Sequence, residues 1–185
     1  MDYLTNEAKR MNTVKIAIIV TFCALSIGTD YALVGIPNVK LMDLTVFLGG
    51  FLFGPLVGSS IGMASWLIYG SLNPYGFDPR ILVATMLAET IYGITGGLLG
   101  KTLRSTSLSS QRLRLSVLFA TMGFLPTVLY DLITNTVYAS VFGTPVIVAI
   151  LLGVPFAVLH EGANFFIFGI LSVPTITALR RVLRR

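Results

Sequence analysis

The chain has 185 residues, 55% hydrophobic and 11% charged, with a formal net charge of +5 and a mean hydropathy of +0.85. That balance excludes an ordinary soluble domain. Its single cysteine, Cys23, excludes an intrachain disulfide and a cysteine-based zinc site, and reads as packing.

Apolar stretches of about 18 residues or more, the length that carries a helix across a ~30 Å hydrocarbon core, recur along the sequence. They predict an all-α polytopic membrane protein: a compact bundle of six transmembrane helices with both termini cytoplasmic, forming one domain over residues 1–185. The first span, 14–34, is followed by no small-residue cleavage site and carries Asp30 near its end. It reads as a retained helix rather than a signal peptide. Ala17, Thr21, Ala24 and Gly28 fall on one of its faces, either for packing inside the bundle or as a docking face for another membrane protein. Spans two and three, 41–54 and 56–72, are separated only by the turn dipeptide Gly54-Pro55. A single helix through Pro55 is the alternative, and it would place Lys101 to Arg114 on the wrong side relative to the N-terminus. The fourth span, 80–100, repeats small-xxx-small spacing in Gly93 with Gly97 and Gly96 with Gly100, as internal packing requires. Spans five and six are expected at 115–139 and from 146 to 170 or a little beyond.

The basic residues follow this topology. Lys9, Arg10 and Lys15 precede the first span, Lys101, Arg104, Arg112 and Arg114 fill one polar loop, and Arg180, Arg181, Arg184 and Arg185 close the sequence. Of the 13 Lys and Arg residues, only Lys40 and Arg80 lie elsewhere. This is a positive-inside pattern, not a nucleic-acid footprint. The outer loops are then Gly35 to Lys40, Ser71 to Pro79 and Phe142 to Pro145. The first two are rich in Pro, Gly, Asn and aromatic residues, and can be shaped lids or plain connectors.

Of the acidic residues, Asp2 and Glu7 lie in the tail and Asp78 in an outer loop, while Asp30, Asp43, Glu89, Asp131 and Glu161 lie in or at the edge of spans. A charged group at the bilayer centre costs about 3 kcal/mol on translocon scales, which makes such residues functional-site candidates. Asp30, Asp43, Glu89 and Asp131 come from four helices and fall in the same outer depth zone. Asn135 and Tyr138 share a face with Asp131 at i+4 and i+7, as a binding wall would. In the sixth span His160 and Asn164 share a face beside Glu161, and Trp66, Tyr69 and Tyr92 offer flat apolar surface. Competing structural roles exist for each: Asp30 and Asp43 as solvated or helix-capping groups, Glu89 and Asp131 paired with Arg80 or an amide, and His160 as a bonded core histidine or part of a proton relay. One histidine without cysteine argues against a transition-metal site. No Ser-centred glycine elbow, HExxH or phosphate-binding glycine loop is present, so neither an enzyme nor a self-contained ATP-driven pump is expected.

The short basic N-terminus, the small residues of the first helix, the segment "DLTVFLGGFLFGPLVGSSIG" from Asp43 to Gly62, the six compact spans and "YDLITN" from Tyr130 to Asn135 together resemble the substrate-binding S-component of energy-coupling factor (ECF) transporters. The resemblance implies a six-helix bundle in a prokaryotic plasma membrane that binds a vitamin or related micronutrient in a pocket open to the outside and covered by outer loops. It also implies docking through the first helix onto a transmembrane coupling subunit that rests on two cytoplasmic ATPases, with toppling of the bundle to release the cargo. Ala17 matches the family's AxxxA-type docking motif, Thr21 departs from it, and Ala24 and Gly28 keep the face small. The start Met1-Asp2 departs from the Met-His arrangement of the nickel and cobalt members, so no metal and no cofactor is implied. Substrate contacts are expected from Asp131, Asn135, Glu89, His160, Glu161, Asn164, Tyr138 and Asp43, with Trp66 or Tyr69 stacking. A pocket with several carboxylates and aromatics suits a cationic or hydrogen-bond-rich ring compound better than a polyanion; thiamine-like or pyrimidine-like molecules, riboflavin, a corrinoid and a queuosine precursor remain open. A solitary ion-coupled carrier and a membrane scaffold or small intramembrane enzyme are the alternatives.

Overall fold

The computed structural model describes residues 2–73, 76–106, 108 and 111–183, with side chains from Asn12 onward. Pro74 and Tyr75 of the second outer loop, Arg184, Arg185, and the side chains of Asp2, Glu7, Lys9 and Arg10 lie outside the described residues. The described chain forms six helices: α1 (Asp2–Ala32), α2 (Met42–Phe53), α3 (Pro55–Ser71), α4 (Pro79–Thr102), α5 (Arg112–Phe142) and α6 (Val146–Leu183). The expectation of six crossings is narrowed. Four helices, within α1, α4, α5 and α6, are long and apolar enough to cross a membrane. The 12 residues of α2 rise only about 18 Å, and the 17 of α3 about 25 Å, both short of the ~30 Å core. The last helix, in contrast, runs well past residue 170, through Pro155 and Pro174, and places Arg180 and Arg181 in its last turn, where cations complement the helix dipole.

The break between α2 and α3 falls at Gly54, as the Gly-Pro dipeptide predicted. Gly54 has φ 99° and ψ 164°, a conformation essentially restricted to glycine, and Pro55 starts α3 at a position where its missing N–H costs nothing. A continuous helix through Pro55 is thereby ruled out. The two short helices fold back so closely that a Cβ on Gly58 would stand 2.6 Å from Gly50 Cα. Helix α4 completes the seam: Gly93 lies against Gly58 and Ser59, Gly97 against Pro55, and Gly96 and Gly100 against the carbonyls of Phe47 and Phe51. Its small-xxx-small spacing is therefore internal packing.

Helix α2 is the centre of the bundle. It packs against α1, α3, α4 and α6, and everything from Met42 to Phe51 is buried. Phe47 meets Phe119 of α5 and Phe168 of α6 edge-on, with ring centroids 5.9 and 5.2 Å apart, the arrangement that aromatic quadrupoles favour. In α1, Cys23, Ser26 and Asp30 face inward and are buried, while Ala17, Thr21, Ala24 and Gly28 are all exposed. The small-residue face of the first helix is thus not consumed by bundle packing.

Asp30 ties α1 to α2. Its Oδ1 accepts from the backbone N–H groups of Leu41 and Met42, each at 3.1 Å, so a side chain from one helix caps the start of another whose own N-cap residue offers none. This fixes the polarity of the bundle. The start of α2, Lys40 and the start of α4 lie at one end. The ends of α2, α4 and α6 lie at the other, where Arg180 Nη2 reaches Leu103 O at 3.3 Å.

Candidate functional site

Near the end of the bundle that carries Lys40, three apolar helices bring polar side chains together. One oxygen of Asp43, in the first turn of α2, lies 2.8 Å from His160 Nε2 and accepts from Asn164 Nδ2 at 2.7 Å. The other ring nitrogen of His160 lies 3.0 Å from Asp131 Oδ1. His160 therefore bridges α2 and α5 from α6. With a carboxylate at each ring nitrogen, the imidazole either carries both N–H protons or shares one with a carboxyl group.

The network continues beneath the histidine. Thr127 Oγ1 donates to Gly123 O at 2.6 Å, which leaves that oxygen to accept from Asn164 Nδ2 at 2.8 Å and from Tyr92 OH at 2.7 Å. Burial makes these bonds matter, since an unmade one in the interior carries the full desolvation penalty. The close approach of α5 and α6 depends on Gly123, where a Cβ would come within 2.5 Å of Asn164 O.

Above the bridge lies a cavity of about 510 Å³ between α5, α6 and the loop that joins α1 to α2, walled by Asp131, Thr134, Asn135, Tyr138, Phe156 and His160. Asn135 donates back to Asp131 O at 2.8 Å and leans on Gly153 of α6, where a Cβ would stand 2.6 Å from Asn135 Oδ1. Tyr138 is exposed, with its ring 4.4 Å from that of Phe142. The loop is pinned over this space by Asn38, whose Nδ2 donates to Phe156 O at 2.9 Å and whose backbone is left-handed at φ 55°, a conformation that asparagine tolerates better than most residues. On the other side of the pinned loop a second cavity of about 340 Å³ includes Asp30 and Tyr69 in its wall. Asn38, Lys40 and Phe156 line both. Lys40 Nζ stands 4.4 Å above the Trp66 ring and 5.9 Å from that of Tyr69, within cation–π range.

The sequence-derived candidates thus fall into several groups. Asp131, Asn135, Tyr138 and His160 line the larger cavity, and Tyr69 the smaller. Asp43 and Asn164 lie directly behind His160. Trp66 donates from Nε1 to Glu89 Oε2 at 3.0 Å, so that pair forms a buried layer deeper in the bundle. Glu161 is half-buried and outside the cavity wall. Arg80 is engaged by Asp78, with Nη2 3.0 Å from Oδ2, and is not the partner of Glu89 or Asp131. Thr127, Lys40, Asn38 and Tyr130 were missed as site residues. Extending the Asp131 stripe one turn back would have found Thr127, which sits at i−4 on the same face. Four acceptors in this region, Asp30 Oδ2, Glu89 Oε1, Asp131 Oδ2 and Asn164 Oδ1, have no hydrogen-bond partner among the described residues. Also among the described residues, no group of three or more His, Cys, Asp or Glu side chains is disposed to hold a metal ion.

Comparison of the chain with family models, curated proteins and solved structures finds no match.

Proposed function

We propose that this protein is the membrane-embedded, substrate-binding S-component of an ECF-type importer. In this reading it captures a vitamin or related micronutrient from outside a prokaryotic plasma membrane and delivers it inward by docking on a transmembrane coupling subunit with two cytoplasmic ATPases. Both termini are then cytoplasmic, and the chain is not itself an enzyme. The observation that carries the proposal is the cavity of about 510 Å³ walled by Asp131, Asn135, Tyr138 and His160 and covered by the pinned loop. Its size falls in the range of small-molecule sites, and its wall mixes apolar surface with a few convergent polar groups. The exposed face of Ala17, Thr21, Ala24 and Gly28 supports the docking half of the proposal, because small side chains let another helix approach closely.

The test is mass spectrometry of small molecules released from gently purified protein, beside a variant carrying Asp131→Ala and Asn135→Ala. A stoichiometric micronutrient lost in the variant supports the reading and identifies the cargo. An empty site in both after growth in rich medium would turn attention to the ion-coupled carrier or a scaffold.

A second reading, a solitary ion-coupled carrier, is favoured by one observation: the continuous Asp43–His160–Asp131 contact, in which a proton can pass between three helices. Uptake in cells lacking any coupling subunit, abolished by collapse of the proton gradient, would establish it over the first.

A further inference from the structure

The end of the bundle opposite the Asp131 cavity holds a second recess, which the proposed substrate site does not use. There residues at the ends of α2, α4 and α6 line a cavity of about 660 Å³. Its wall has two chemistries. Lys101 and Arg104 are exposed and Arg180 is half-buried, and all three line the recess. The Arg180 guanidinium is held in place, 5.3 Å from the Phe51 ring and with Nη2 at 3.3 Å from Leu103 O. Phe51, Leu52 and Leu183 supply an apolar side, and Leu183 remains 55% exposed at the rim. Among the described residues, no Asp or Glu lines the recess.

We infer that this recess binds the phosphate headgroup of an anionic phospholipid. The three cations converge where apolar helices end, the level at which a lipid phosphate sits, and basic pockets between helix ends recognise such headgroups. Guanidinium and ammonium groups together suit a phosphodiester, Arg through paired N–H donors and Lys as a point charge. The apolar side then receives the glycerol and the first methylenes of the acyl chains, which a free phosphate ion lacks. That combination of charge and grease selects a lipid over a soluble anion. The inference is independent of the substrate site, since no residue lines both recesses.

The test is native mass spectrometry of the full chain, delipidated in mild detergent and titrated with dioleoyl phosphatidylglycerol or with dioleoyl phosphatidylcholine. The acyl chains are identical, so only the headgroup differs. Phosphatidylglycerol should bind more tightly, and Lys101→Gln with Arg104→Gln should weaken it by about fivefold for each charge removed. A second pair, Arg112→Gln with Arg114→Gln, removes two cations from the start of α5, outside the recess, and should leave the preference unchanged. Equal binding of the two lipids by the unmodified protein, which needs no variant, would overturn the inference. So would an equal loss in both double variants, which would mean diffuse basicity, or displacement of the lipid by equimolar inorganic phosphate.

Discussion

Asp43 and His160, 117 positions apart in the chain, meet at 2.8 Å with both side chains almost completely buried. The contact fastens the start of the central helix α2 to the middle of α6, and through Asp131 to α5. Removing one member of a buried pair leaves the other uncompensated, at a cost of about 3–5 kcal/mol, whereas replacing both with apolar groups of similar volume is often neutral or stabilising. His160→Ala should therefore destabilise the bundle by roughly that amount, and Asp43→Leu combined with His160→Leu should recover a large part of it. Thermal unfolding in detergent reads both. A double variant less stable than His160→Ala would mean that the bridge does not dominate the cost.

The α2–α3–α4 seam makes a second expectation specific to position. A Cβ at Gly50 would collide with the backbone of Gly93, while one at Gly28 would meet nothing within 4 Å. Gly50→Ala should cost about 1–3 kcal/mol through overpacking. Gly28→Ala should be neutral or raise stability by up to about 1 kcal/mol, since alanine is the better helix former. Equal melting temperatures for the two variants would remove the seam as a determinant of stability.

How these elements were legible differs from helix to helix. The break at Gly54-Pro55 and the internal role of the α4 glycines could be read from sequence, because backbone restriction and small-residue spacing are local properties. The stripe of Asp131, Asn135 and Tyr138 was legible for the same reason. The partners of that stripe were not. Nothing local indicates that His160 turns one nitrogen to Asp43 and the other to Asp131, because helix rotation is set by packing across the bundle. A capping role for Asp30 is legible in the sequence, but the backbone N–H donors at the start of α2 lie 11 and 12 residues away, beyond any capping box. Hydropathy predicts crossings for the second and third spans because it reports apolar character alone, whereas α2, with only 12 residues, is apolar because it is buried among the other helices.

The start of α4 carries a pH-dependent element. Asp78 accepts from the N–H groups of Arg80 and Ile81, and the Arg80 side chain bonded to it is the main reason its carboxyl lies below the ordinary 3.8. A carboxyl whose folded value lies below its unfolded one contributes stability that is fully present above the unfolded value and is lost as pH falls through the folded value. Hydrogen exchange of the first α4 amides should therefore be faster in Asp78→Ala than in the unmodified protein at neutral pH, with the ratio closing below pH 3.8. A ratio that holds constant on acidification would assign the effect to helix propensity instead of charge.

The exposed face of α1 lets the proposed docking be tested apart from folding. Ala17, Thr21, Ala24 and Gly28 make a shallow strip that the bundle leaves uncovered, so a large side chain there displaces no internal contact. Ala24→Trp should leave the melting temperature and ligand occupancy unchanged while abolishing co-purification with a coupling subunit, because one bulky ring holds a partner helix beyond close packing distance. Ile16 is the control position: it is 61% exposed and points about 100° away from Ala17 on the helix surface. Ile16→Trp should keep the association. Loss with both variants would mean that bulk anywhere on α1 disturbs assembly, and retention with both would place the docking surface elsewhere. If Ala24→Trp also stopped uptake in cells without any coupling subunit, the face would serve the carrier itself, and the importer reading would give way to the solitary one.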